Sequence, residues 1–242
     1  YRLKSTDTEA KGNGLDLTND PNLPISMDIN DKPRVTSDLG AHNAFDIAIL
    51  TKWNDVGQGT VAEPFLLYNK TQLQDMRTNA CNATYSSGCA SAFRLEENID
   101  LNNDTWKPIG DSTNCFSGEF DGNDATVSNL TINLSWVDRV GFIGDACSAN
   151  IHDMTITNVN INGKSSVGAL IGFANSTTIN NVHTQNGSVT CASTACGGLV
   201  GWSRGNHQNV SSIGITVSGT FWTGGLIGFS DGTSMSDSFG KN

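Results

Sequence analysis

Carboxylates, histidines and cysteines are the residues of this 242-residue chain that could do chemistry, and their spacing decides which chemistry. Four aspartates fall in two short runs, Asp100-Leu-Asn-Asn-Asp104 and Asp121-Gly-Asn-Asp124. Paired carboxylates at a defined separation cleave glycosidic bonds. Oxygen-rich loops of this composition also ligate calcium. Neither run has the EF-hand spacing or the nonapeptide calcium repeat, and turn residues of a β-protein have the same composition. The expectation is therefore no cofactor, with calcium at Asp100, Asp104, Asp121 and Asp124 as the alternative. Farther on, Asp145, Asp153, Asp231 and Asp237 do not recur at a fixed period, so no stacked acidic cluster is expected. His42, His152, His183 and His207 lack HExxH spacing and are expected at the surface, and without GxSxG a hydrolase triad has no anchor. These residues point away from an enzyme.

The six cysteines are Cys81, Cys89, Cys115, Cys147, Cys191 and Cys196. An even count without CxxC argues for disulfides, and disulfides for an oxidising compartment. The stretches 81–89 and 191–196 look like local clips. Pairing neighbours in order leaves Cys115 with Cys147, although six cysteines allow many connectivities and buried free thiols are the alternative.

These groups must be positioned by a repeat. RVGFIG (139–144), VGALIG (167–172), CGGLVG (196–201) and TGGLIG (223–228) end at Gly144, Gly172, Gly201 and Gly228, spaced by 28, 29 and 27 residues. Such regularity marks a repeat architecture. Between the glycines, Ile, Val, Met and Leu alternate with Thr, Asn and Ser, as in NIHDMTITNVNING (150–163), which is the signature of half-buried strands. Asn-Gly at 162–163 and 186–187 and Ser-Gly at 218–219 supply turns. One unit holds about three short strands, the content of one coil of a β-helix. A coil cannot bury its inward side chains alone, so stacked coils must line one apolar interior. The glycines have two available jobs: turning the chain with positive φ, or letting neighbouring backbones approach. The fold expected is an all-β, parallel β-solenoid with coils of about 28 residues, plus a short helix near 70–77, where Asn69 and Gln72 have capping-box spacing.

An aromatic follows the glycine-marked strand in three copies, as Phe173, Trp202 and Phe229, which predicts an interior stack. Trp136 and Trp222 have no such match and are the candidates for ligand contact. Ladders of Asn and Thr are expected to hold turns coil after coil.

GGLVG and GGLIG, with GALIG and the degenerate VGFIG, resemble the GLUG-motif repeat. The resemblance extends upstream to PFLLYNKTQLQDMR (64–77), FRLEENIDLN (93–102) and WKPIGDSTNCFSGEFDGNDATVSNLTI (106–132). Asp124 and Ala125 depart from it, standing where the family has Gly and a polar residue, and the 81–89 loop looks like an insertion. The resemblance implies a non-catalytic stretch of a bacterial surface adhesin, the N-terminal region of a secreted immunoglobulin-cleaving metallopeptidase, or a solenoid grafted on a minor pilin. It carries no catalytic residue set.

Residues 64–242 are read as the solenoid; the last unit is short of a full period, so more chain is expected downstream. Residues 1–63 are read as an N-terminal cap or part of a neighbouring domain, with ISMDI (25–29) and AFDIAIL (44–50) as candidate strands. Lys and Arg number 14 against 24 Asp and Glu, a net charge of −10, which argues against a nucleic-acid partner and against anionic lipid. No run of roughly 18 apolar residues spans a membrane. The functional expectation is an extracellular binding or spacer module that mediates cell-surface attachment. Its partners would be a host or environmental surface receptor, a glycan among the candidates, and other domains of a larger protein. The alternatives are a carbohydrate-active β-helix enzyme and an accessory region of a secreted metallopeptidase.

Overall fold

The structure is a computed structural model that describes residues 50–81 and 88–241. The candidate strand at 25–29, nearly all of that at 44–50, and His42 lie outside the described residues. The described chain is a parallel β-solenoid. One column of paired residues runs through it: Phe65, Phe93, Phe120, Ile151, Ile179, His207 and Met235 lie rung on rung. The glycine-marked segments also lie over one another, with Ile143, Ile171, Val200 and Ile227 in register. Ile143, Ile171 and Val200 are fully buried, so the inward aliphatic side chains form a continuous column as the repeat predicts.

Residues 50–63 pack on the first coil. Trp53 meets the Phe65 ring edge-on at 4.7 Å, and the Ala92 amide donates to the Gly59 carbonyl at 2.8 Å. The helix Lys70–Asp75 starts where expected. The Asn69 side chain accepts from the Gln72 amide at 2.9 Å, while Gln72 Oε1 accepts from the Tyr68 amide at 2.9 Å, one residue beyond the Asn69 amide that a capping box would use. A π-helical turn, Met76–Ala80, extends it.

Strands are longer than the sequence predicts. Ile171–Cys191 runs for 21 residues and Val200–Ser218 for 19. Single residues in the left-handed region bend the chain without breaking the ladder. These corners recur at the coil period: Arg139, Ser166, Ala195 and Trp222 form one row, Asp153, Asn181, Asn209 and Asp237 a second, and Asn129, Asn158 and Asn186 a third that continues as Gly214. Asn and Asp tolerate this conformation because their short polar side chains bond locally. The expected Asn ladders exist. Asn209 donates to Asn181 at 2.9 Å and Asn181 to Asp153 at 2.7 Å, while Asn158 donates to Asn129 at 3.2 Å and Asn129 to Asp100 at 2.8 Å. Asp124, which stands where the resembled family has Gly, has φ +60°.

The motif glycines therefore do not turn the chain. Gly144, Gly172, Gly201 and Gly228 are absent from the positive-φ positions. A Cβ on Gly172 would lie 2.4 Å from the Val140 amide nitrogen, one on Gly201 2.3 Å from that of Val167, and one on Gly228 2.4 Å from that of Cys196. Each of these three glycines seats its strand against the backbone that opens the same motif one coil earlier. Of the two jobs available to these glycines, close approach is the one used.

The interior changes along the axis. Phe93, Phe116, Phe120 and Phe142 are fully buried near the start, whereas Ser203, His207, Ser211 and Ser212 are buried farther on. His207 corrects the expectation of surface histidines. Its position in the inward column leaves it 2% exposed, with Nε2 2.6 Å from Ser203 Oγ and Nδ1 without a hydrogen-bond partner. His152 and His183 are half-buried on the outer face. Burial lowers the His207 pKa from its ordinary 6.5. The unfolded chain thus takes up the proton first. The neutral ring's stability is complete above about pH 6.5 and is lost as pH falls toward the depressed folded value, by at most about 1.4 kcal/mol per pH unit. Urea unfolding from pH 8 to 5 should show His207→Leu losing less stability than the native chain. Equal losses would mean that the ring is hydrated or charged in the folded state.

Candidate functional site

All three disulfides follow the order of the cysteines: Cys81–Cys89, Cys115–Cys147 and Cys191–Cys196. Cys115 and Cys147 flank the paired residues Phe116 and Ala146, so that bridge ties one coil to the next.

The acidic candidates separate. Asp100 Oδ1 accepts from the Asn102 amide at 2.7 Å and from Asn129 Nδ2 at 2.8 Å. The Asn129 hydrogen bond first, then that of the Asn102 backbone, holds its carboxyl below the usual range. Its oxygen thereby closes a turn in which Asn102 and Asn103 are both left-handed. Asp104 pairs with Lys70 at 2.6 Å. Asp124 is an exposed corner residue.

Asp121 has a different neighbourhood. It pairs in register with Arg94 on one side and His152 on the other. Among the described residues, the group of three ligand-capable side chains comprises Asp121, His152 and Asp153, with one ligand atom of each within 4.8 Å of the others. His152 Nδ1 lies 2.8 Å from Asp153 Oδ2 and 3.7 Å from Asp121 Oδ1, and Arg94 Nε lies 3.5 Å from Asp121 Oδ2. The Asn181 hydrogen bond lowers the Asp153 pKa. Asp153 is the one repeat aspartate of this group among the described residues, so the group is not a stack of repeat aspartates. Register shifts between Asp121 and Ala125, so Asp121 pairs with His152, and the left-handed Asp153 turns its carboxylate to the same face. The extra residues of that corner hide the pairing from a count at the coil period. One imidazole and two carboxylates can hold a cation, but Arg94 already neutralises Asp121 there.

The aromatic row also departs from expectation. Phe173 and Trp202 stack with centroids 4.3 Å apart and planes 10° apart, and Phe229 continues the row 6.2 Å from Trp202. The stack is half-buried on the outer flank, not interior. Arg139 covers Phe173 at 4.2 Å and Arg204 approaches Trp202 at 5.4 Å. Each guanidinium also meets a carboxylate, Arg139 that of the buried Asp145 and Arg204 that of Asp231. Burial raises the Asp145 carboxyl despite that partner. Trp222, read as unmatched, joins the row 4.6 Å from Phe229 while remaining 57% exposed. Phe221 beside it is 64% exposed. Trp136 lies in the turn after the strand Thr131–Asn133 and is 72% exposed. The structure thus keeps Trp136 and Trp222 accessible, on different coils.

No family model matches the chain. It is 34% identical over 153 residues to Halomucin of Haloquadratum walsbyi, a match that covers 62% of this chain and 2% of that protein. It is 30% identical over 88 residues to a candidate Gly-rich membrane protein of Evansella cellulosilytica, covering 36% of this chain and 10% of that one. The chain therefore spans a small part of the relatives it matches. The crystal structure of a candidate immunoglobulin A1 protease from Bacteroides ovatus superposes with a TM-score of 0.57 at 19% identity, over 81% of this chain and 71% of that chain. At that identity the likeness concerns the fold, a β-solenoid.

Proposed function

We propose that the chain is a non-catalytic extracellular module of a larger cell-surface protein, serving as spacer and binding face in attachment. The observation that carries this reading is the unbroken column of seven rungs from Phe65 to Met235. At about 4.8 Å per rung the column makes a stiff segment roughly 29 Å long, whose contacts are local and repeat along the axis. Three disulfides support an oxidising compartment. No helix among the described residues is long and apolar enough to cross a membrane. The names of the sequence relatives, Halomucin and a Gly-rich membrane protein, agree with a surface setting. A second reading, an accessory region of a secreted peptidase, is favoured by the fold of the Bacteroides ovatus protein.

Two measurements test the proposal together. Cells displaying the parent protein without residues 64–242 should attach less than cells displaying it whole. The purified chain should release no reducing ends from a polysaccharide panel. Unchanged attachment, or turnover that Asp121→Ala abolishes, would overturn it. A peptidase whose cleavage depends on this segment would favour the second reading.

A further inference from the structure

Most described cations have a carboxylate partner. Lys52, Lys70, Arg94, Arg139, Lys164 and Arg204 all lie within 4.0 Å of one. Arg77 and Lys107 have none among the described residues, and both line the same cavity of about 680 Å³. In a chain of net charge −10, two cations that lack a carboxylate partner among the described residues and converge on one cavity ask for an anion.

The lining strengthens the case. Arg77 is half-buried, its guanidinium carbon lies 5.4 Å from the Trp106 ring centroid, and its Nε is buried without a hydrogen-bond partner. The buried indole holds one face of the guanidinium and leaves the fork free, which suits two-point recognition of a carboxylate. Lys107, next to Trp106 in the chain, is exposed and adds a mobile ammonium. Arg139 also lines the cavity but is committed to Asp145. The two carboxylates of the lining are engaged elsewhere. Asp138 pairs with Lys164 at 3.2 Å, and Asp111 accepts from the Thr113 and Asn114 amides at 2.8 and 2.9 Å. They do not neutralise Arg77 or Lys107. Trp136 immediately precedes Val137, Asp138 and Arg139 of the lining and is the most exposed large hydrophobic side chain described. An exposed indole beside a cationic cavity fits a ring with an apolar face and an acidic substituent.

We propose that this cavity binds an acidic saccharide, its carboxylate held by Arg77 and Lys107 and its sugar ring stacked on Trp136. The inference rests on the binding-module reading and names the ligand class for it. The cavity opens between the π-helical turn that follows the helix and the coil edges at Lys107 and Arg139.

The test is a titration of the whole folded chain with glucuronate, followed by backbone amide shifts at Gly110 and Ser112 and by calorimetry. Glucose and sodium sulfate serve as controls. Glucuronate should saturate these shifts and glucose should not. Arg77→Met and Lys107→Met should each weaken glucuronate about tenfold, the loss of one charge-assisted contact. Lys107 is exposed, so its variant reads binding without risk to the fold. Trp136→Ala should weaken glucuronate while leaving sulfate unchanged. Sulfate binding as tightly as glucuronate, with no effect of Trp136→Ala, would overturn the saccharide assignment. Absence of any shift at Gly110 and Ser112 with both anions would overturn the site itself. Either failure leaves the attachment result of the deletion untouched, so the two readings are separable.

Discussion

Gly201→Ala should destabilise the chain by more than about 4 kcal/mol, an effect reserved for substitutions that break backbone packing. The added methyl would lie 2.3 Å from the Val167 nitrogen, 2.4 Å from the Ser166 carbon and 2.7 Å from the Gly172 carbonyl oxygen. All three are backbone atoms; Val167 opens the strand Val167–Gly168 of the preceding coil, and Ser166 is the corner residue before it. No rotamer can relieve such a clash. The coils must separate at that corner, and the column through Val200 separates with them. For a chain of this size the melting temperature should fall by roughly 10 °C or more. Asn209→Gly is the control. Asn209 has φ +49°, a conformation glycine adopts freely, and it would lose the bond to Asn181. Its cost should be about 1 kcal/mol. Thermal unfolding of the two variants decides the matter. Comparable losses would refute the division between glycines that permit contact and asparagines that turn the chain.

Removing the Cys115–Cys147 bridge by a double alanine substitution should lower stability by about 3–4 kcal/mol. The bridge joins residues 32 apart in sequence and connects neighbouring coils. Opening it frees a full turn of chain in the unfolded state. The Cys191–Cys196 bridge spans 5 residues, so its removal should cost less, about 2 kcal/mol on the same entropic account. Calorimetry on the two double variants should rank them in that order. A larger loss at Cys191–Cys196 would show that native-state packing, not loop closure, sets the contribution of these bridges.

Both expectations trace to features of different legibility. The coil period was readable because the stacking requirement places Gly144, Gly172, Gly201 and Gly228 at equivalent points of successive turns. The disulfide order was readable because two of the three loops are short. The left-handed corners were only partly readable. Asn and Asp rows announce themselves by type, but Arg139, Ala195 and Trp222 occupy equivalent corners with no compositional mark. The corner Asp121–Ala125 departs from the period, and the grouping of Asp121 with His152 and Asp153 followed from that departure.

Alternation and spacing determined that this chain stacks parallel coils around an apolar column, because period-two burial and a fixed repeat leave little else to do with those residues. Which way an aromatic or a histidine points was decided by tertiary structure. His207 and Phe173 both sit in alternating strands, yet one faces the column and the other the outer flank, because bends at the left-handed corners reset the alternation within each coil. The pairing of cations was likewise a tertiary matter. Arg77 and Lys107 are 30 residues apart in sequence, and nothing local shows that no carboxylate of the described residues reaches either of them. Side-chain charge is written in the chain, whereas its neutralisation depends on what the fold brings within a few ångströms.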